Sequence, residues 1–207
     1  PWGYRESDKL GGYDPYSSSK ACMELLVSSY RSSFFHPDSY EQHKVAIATV
    51  RAGNVIGGGD FADNRIIPDI LSAIKSNKNI TLRNPRAVRP WQHVLEPLLG
   101  YLQLAEKLVS HGCQFAHPWN FGPALDASKP VNWITEYIVQ NYPSKIEVIE
   151  ENDTSLHEAQ QLALDCSLAN SKLKWKSKWT IKVALTKVIE WSQHVENGGS
   201  PKDICVQ

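Results

Sequence analysis

No charge of one sign dominates this chain: 22 Lys and Arg stand against 22 Asp and Glu, and no run of like charge occurs. That balance excludes the basic patch of a nucleic-acid-binding surface and the basic helix of a membrane-surface protein. Long apolar runs are lacking as well; none approaches the roughly 20 residues that span a bilayer. The opening Pro1-Trp2-Gly3-Tyr4-Arg5-Glu6 has the form of neither a signal peptide nor a transit peptide. Without an initiator Met, it reads as a processed, cleaved or internal segment. The four cysteines (Cys22, Cys113, Cys166, Cys205) form no C-x-x-C pair. Reduced thiols in a cytoplasmic protein are therefore expected, not a disulfide framework. No clustered His accompanies them, so no zinc spacing and no metal site is expected. Internal repeats and low-complexity segments are absent too. At 207 residues the chain is long enough for one large domain or two small ones with a real core.

Strand-like and helix-like segments alternate, which predicts an α/β fold. Asp14-Pro15 is a strong helix start, a capping carboxylate followed by Pro at the first helical position. From there Tyr16, Lys20, Met23, Val27, Tyr30 and Phe34 recur on one face, and the helix is expected to end near Phe35-His36-Pro37. Val45 to Val50 reads as a short buried strand leading to Gly57-Gly58-Gly59-Asp60. A glycine cluster after such a strand sits where open α/β sheets place their ligands. Ile66 to Ile74 reads as a helix and Ile80 to Arg83 as a strand. Another helix opens at Glu96-Pro97 and runs to about Val109, with Leu98, Leu102, Ala105 and Leu108 expected inward. Trp119 to Pro123 reads as a strand end, Pro130 starts a helix, Lys145–Ile149 and Gln161–Leu164 read as strands, and Thr180 caps the last helix. The residues from Asn197 are expected to be a loose tail.

Three groups of residues have chemistry to offer. Tyr16 and Lys20 lie four apart on a predicted helix, which brings a phenol and an ammonium to one face. A phenol ordinarily titrates near 10, and a neighbouring cation favours the phenolate that a general base needs. The ammonium also suits a ribose hydroxyl. The same spacing occurs by chance on many surface helices. The segment from Arg51 to Asp60 is glycine-rich enough for close ligand approach, or for no more than a tight turn. It is no dinucleotide fingerprint, because no helix opens after it in the required register. Arg65, Arg83, Arg86 and Arg89 offer guanidinium forks for a diphosphate, against the plain alternative of solvated surface charge. His93, beside Trp91, reads more readily as a hydrogen-bonded structural histidine than as a catalyst.

Together these segments resemble the nucleotide-sugar dehydratases of the extended short-chain dehydrogenase/reductase superfamily, from about Trp2 to Trp191. The carrying strings are Tyr4-Arg5-Glu6, Gly11 to Lys20, Arg51 to Asp60, Ile67-Pro68-Asp69-Ile70, Arg83-Asn84-Pro85, Arg89 to Pro97 and Trp119 to Pro123. The G-G-G-D and R-P-W-Q-H-V-L-E-P strings resemble the CDP-glucose 4,6-dehydratases more than their dTDP or GDP relatives. The resemblance implies the C-terminal part of a Rossmann-like doubly wound sheet, its first strands lacking, with a smaller α/β substrate-binding domain. Residues 1–64 and 111–142 would belong to the first, and 65–110 and 143–207 to the second. It implies NAD as cofactor, with Tyr16 as the base, Lys20 as its partner and ribose contact, and Arg51 beside the cofactor. Asn54, Arg65, Arg83, Arg89, His93, His157 and Glu158 would meet the nucleotide sugar, and the Tyr16 helix would help form a homodimer. The implied reaction converts CDP-glucose to its 4-keto-6-deoxy product, a lyase step of deoxysugar and lipopolysaccharide O-antigen biosynthesis. The Gly-rich NAD loop and the Thr-Asp-Lys type triad would fall before Pro1. Three other readings follow: a nucleotide-sugar-binding module without turnover, a related epimerase or reductase, and a Tyr16 helix that serves mainly in subunit packing. With open strand edges, the chain alone is expected to be poorly stable or oligomeric.

Overall fold

The computed structural model describes residues 2–124, 127–143, 145–151 and 162–206. They form two compact units that alternate along the chain. The first comprises Pro1–Ala52, Pro97–Phe121 and Leu164–Lys176, and the second Gly53–Glu96, Gly122–Ala163 and Ser177–Gln207.

In the first unit, helix α1 (Pro15–Phe34) starts where the sequence predicts. Asp14 caps it by accepting the Ser17 N–H, and Pro15 takes the first turn. A short turn at Pro37–Ser39 and helix α2 (Tyr40–His43) follow. Strand β1 (Thr49–Ala52) pairs in parallel with β5 (Pro118–Phe121), Arg51 opposite Asn120. The strand expected over Val45–Val50 thus begins later and is only half buried; Val50 is exposed. Leu104, Trp119, Phe121, Ala169, Leu173 and Trp175 make the core, and full burial of a ring such as Phe121 contributes about 2–3 kcal/mol.

Helix α4 (Leu95–His111) departs from expectation in its orientation. Leu98 and Leu102 point outward, and Ala105 is exposed. The inward side carries Gly100 and Leu104, with Leu108 packed against the core. A Cβ at Gly100 would lie 2.4 Å from the Phe121 ring and 3.0 Å from the Trp175 indole nitrogen. Two large rings close onto a bare backbone there, and that contact outweighs the leucine stripe. Helix α1 likewise buries no residue: Met23, Leu25, Leu26, Tyr30 and Phe34 are all at least half exposed.

The second unit holds two small sheets under helices. Strand β2 (Asn54–Ile56) runs parallel to β4 (Val88–His93), which pairs antiparallel with β6 (Ser128–Pro130). Strand β3 (Ile80–Leu82) pairs in parallel with β7 (Val148–Glu150). Helices α3 (Ile66–Lys75), α5 (Val131–Asn141) and α6 (Ile181–Glu196) pack their Ile, Leu and Val side chains into one core with Trp91. Thr180 caps α6 as predicted. The tail is not wholly loose, because Ser200 and Pro201 start a short helix, α7 (Pro201–Cys205). Of the strand expected at Gln161–Leu164, Leu164 forms a single bridge to Tyr4 in the first unit, and Gln161 lies outside the described residues. Among the described residues no helix is long and apolar enough to cross a membrane.

Candidate functional site

In the first unit, the chain enters α1 through a turn built by short side chains. Ser17 Oγ donates to the Asp14 carboxylate at 2.7 Å, and Ser18 Oγ donates to the Gly12 carbonyl at 3.2 Å. The Ser17 hydroxyl, then the Ser17 N–H, hold the Asp14 carboxyl below its ordinary range. Tyr16 stands in the first turn, 73% exposed. The Lys20 ammonium lies over its ring, 5.6 Å from the centroid. The predicted pair is therefore assembled, with both ends open to a ligand.

Arg51 is engaged elsewhere. Its Nε donates to Glu24 Oε1 at 2.9 Å, and Nη1 reaches the Glu6 carbonyl at 3.5 Å. Thr49 Oγ1 donates to the other Glu24 oxygen at 2.8 Å. Burial pushes Glu24 up, but the Arg51 and Thr49 bonds outweigh it and its pKa settles below the ordinary value. Glu6 in turn accepts the Asn120 N–H at 2.8 Å, and Asn120 Nδ2 donates to the Tyr4 and Asp165 carbonyls at 3.0 and 3.2 Å. These bonds tie the segment before Tyr16, and α1 itself, to the β1–β5 pair. Nothing local marks Glu24 in the sequence: its spacing from Lys20 suggests a helix-surface pair, and the partner it takes lies 27 residues on. Glu6 and Asn120 stand in strings with no local sign of their partners.

In the second unit, β2 and β4 end together, Ile56 opposite His93, and Gly57 to Asp60 leaves β2 at that end. Carboxyl ends of parallel strands with a glycine loop form the usual ligand position. Gly58 has a packing reason as well: a Cβ there would lie 2.2 Å from the Trp191 ring. Asp60 caps the turn through the Ala62 N–H at 3.1 Å and holds Arg65 Nη1 at 3.1 Å. Arg65, just before α3, remains largely exposed. Arg83 follows β3, also exposed, near enough to Asp69 to offset part of the upward push that burial gives that carboxyl.

Residues Arg89, Trp91 and His93 alternate along β4 and share a face. Arg89 is 8% exposed, and its Nη1 donates to the Val88 carbonyl at 2.9 Å. Asn54 lies opposite Trp91, between the levels of Arg89 and His93. His93 is equally buried; its ring meets Trp179 at 4.9 Å, and Nδ1 accepts the Leu95 N–H at 3.3 Å. Burial holds its pKa below the ordinary value, with Glu96 opposing and Lys187 assisting. The structure thus places Asn54 and His93 on neighbouring strands and Arg65 after the loop that leaves β2. It puts Arg83 just past the end of β3, which belongs to another sheet, and His157 and Glu158 lie outside the described residues.

The chain matches a family model described as GDP-mannose 4,6 dehydratase over residues 2–188. It is 48% identical over 190 residues to a CDP-glucose 4,6-dehydratase of Salmonella typhimurium, covering 92% of this chain and 53% of that protein. Against a dTDP-glucose 4,6-dehydratase of Escherichia coli the identity is 24% over 193 residues, 91% of this chain and 51% of the other. The chain spans about half the length of these curated relatives. Among solved structures, a dTDP-glucose 4,6-dehydratase of Bacillus anthracis in complex with NAD matches with a TM-score of 0.73 at 18% identity, covering 99% of this chain and 59% of that one. A UDP-glucose-4-epimerase of Stenotrophomonas maltophila with bound NAD gives 0.76 at 14%, covering 95% and 60%. These likenesses show the fold, an α/β architecture with parallel sheets of the Rossmann-like epimerase and dehydratase type. The family model spanning nearly the whole chain and the 48% identity place this protein in the GDP-mannose 4,6-dehydratase family.

Proposed function

We propose that this chain is the acid–base and substrate-binding part of an NAD-dependent nucleotide-sugar 4,6-dehydratase that converts CDP-glucose to the 4-keto-6-deoxy sugar nucleotide. The observation that carries the reading is the exposed Tyr16 with the Lys20 ammonium against its ring, in a chain so similar to a CDP-glucose 4,6-dehydratase.

NAD fits the residues present at one end. Tyr16 and Lys20 offer exposed donors to a ribose, whereas Arg51 is already engaged by Glu24 and the Glu6 carbonyl. Gly58 is spoken for by Trp191, and a Cβ at Gly57 would meet Val94 at 2.9 Å, so the glycine loop has its own packing reasons. When bound, the dinucleotide supplies the reversible two-electron acceptor that oxidation at C4 and reduction at C6 require.

The chain's own residues handle protons and charge. Tyr16 takes the proton of the sugar 4-hydroxyl, and Lys20 stabilises the charge that develops on the phenol. With the C4 hydride taken up by the dinucleotide, a ketone at C4 would acidify the C5 hydrogen, and loss of that proton together with the C6 hydroxyl would release water. Arg65 is the most available diphosphate ligand, since a phosphate need only displace Asp60 from an exposed guanidinium. Arg83, Arg89, Asn54 and His93 complete the proposed sugar-nucleotide contacts, with His157 and Glu158 at the nucleotide. The product class is a precursor of deoxysugars such as those of lipopolysaccharide O-antigen. The uncovered stripe of Met23, Leu26, Tyr30 and Phe34 on α1 suits a homodimer, being apolar and nearly free of charge.

Quenching of tryptophan fluorescence by CDP-glucose, with UDP-glucose and dTDP-glucose as competitors, tests the substrate. Saturable binding that prefers CDP-glucose and weakens in Arg65→Ala supports the reading. Equal response to all three sugars, or none, contradicts it.

A further inference from the structure

Glu96 is 6% exposed, and both of its carboxylate oxygens accept backbone N–H groups. One oxygen accepts the Lys178 N–H and the other the Trp179 N–H, each at 2.9 Å. A buried carboxylate receiving two N–H bonds is a strong, charge-assisted clamp. What it clamps is the turn before α6, and that turn carries Trp179, whose ring lies 4.9 Å from the His93 imidazole. On the other side of the ring the Leu95 N–H donates to Nδ1 at 3.3 Å. Since that backbone group can only donate, Nδ1 is an acceptor and the ring proton sits on Nε2. Nε2 has no partner among the described residues. His93 ends β4 at the level of Ile56, where the Gly57–Asp60 loop begins.

We propose that His93 presents its Nε2–H as a fixed hydrogen-bond donor to an oxygen of the nucleotide sugar, and that Glu96 is the positioning residue that holds it there through Trp179. The donor role rests on the functional reading above; the clamp does not. Protonation would put a second N–H on Nδ1, pointed at the Leu95 N–H, and break the arrangement. The ionic groups acting on the ring are Glu96, which favours a cation, and Lys187, which disfavours it; burial decides, and the imidazole stays uncharged at neutral pH.

The clamp is tested by nitrogen-15 NMR of the His93 ring in the chain without ligand. The expected result is protonated Nε2 and bare Nδ1 at pH 7, with the His93 ring resonances shifted in Glu96→Gln as Trp179 moves, since that amide retains only one acceptor oxygen. A mixture already present in the parent chain, or a Glu96→Gln spectrum identical to the parent's, overturns it. The donor role is tested by calorimetry with His93→Phe, which keeps a ring against Trp179 and removes the N–H. Affinity for CDP-glucose is expected to fall about tenfold, the worth of one such bond. Unchanged affinity overturns the donor role alone. A parent chain that shows the Nε2–H tautomer yet binds no CDP-glucose overturns the functional reading and the donor role together, while the clamp stands.

Discussion

Replacing Arg51 with Met separates a brace from a cofactor contact. The guanidinium is 23% exposed and its partner Glu24 is 15% exposed, so the pair lies largely out of water. Arg51→Met keeps much of the aliphatic stem but leaves the Glu24 carboxylate buried with only Thr49 as donor. Removing one partner of a buried ion pair costs about 3–5 kcal/mol, and the residual exposure here argues for the low end, about 3 kcal/mol at pH 7. Loss of both charges is milder: Glu24→Met/Arg51→Met should cost less than Arg51→Met alone, since neither member of the pair is left without the other. The pH dependence carries a sign. Glu24 titrates below its ordinary 4.5 in the folded chain, so its stabilisation is present above that value and lost as pH falls through the folded pKa. The penalty of Arg51→Met should therefore shrink as the pH falls, because the stranded carboxyl, still raised by burial and no longer held down by Arg51, takes up a proton. Urea unfolding of the four proteins of the cycle, at pH 7 and in mild acid, reads all three statements. A penalty below about 0.5 kcal/mol at pH 7, of the size expected for an ordinary surface substitution, would refute the brace. So would a double variant as costly as the two single changes summed.

Four further outcomes are expected. Gly58→Ala drives a methyl into the Trp191 ring and should cost about 1–3 kcal/mol in urea unfolding; Trp191→Leu should recover part of that loss in the double variant. Tyr142 is pushed up to about 12 by burial first and then by its bond to Glu196, so stability should decline as pH rises from about 10 through 12, and this limb should vanish in Tyr142→Phe, as followed by circular dichroism. Burial also raises Glu196, but bonds from Tyr142, Lys75 and Ser192 outweigh it; its contribution is lost on acidification, and Tyr142→Phe should move the acid midpoint upward. Leu26→Glu places a charge in the uncovered α1 stripe and should shift sedimentation from the proposed dimer to monomer, whereas a parent chain that stays monomeric at all concentrations would remove the basis for that proposal.

Legibility in the sequence followed the range of the determining interaction. The start of α1 is local, fixed by Asp14, Pro15 and the Ser17 hydroxyl within one turn, and the sequence announced it. The inward side of α4 is not local: it depends on Phe121 and Trp175, distant in the chain, closing over Gly100. Strand β4 was concealed by Pro90, a residue that central strands exclude. It is tolerated because the β2 ladder begins only at Trp91, while Pro90 faces Ser128 of β6. The Tyr16–Lys20 spacing was readable because helical geometry alone brings the two together. The clamps that orient the surrounding groups were not, since Glu24 and Glu96 take partners 27 and more than 80 residues away.

Calorimetric titration of the chain with CDP-glucose, with and without NAD present, tests the central claim most directly. Saturable binding of CDP-glucose that NAD leaves nearly unchanged is expected, because the proposed substrate contacts lie on residues of this chain while only the Tyr16–Lys20 end suits the dinucleotide. Absence of CDP-glucose binding under both conditions would contradict it.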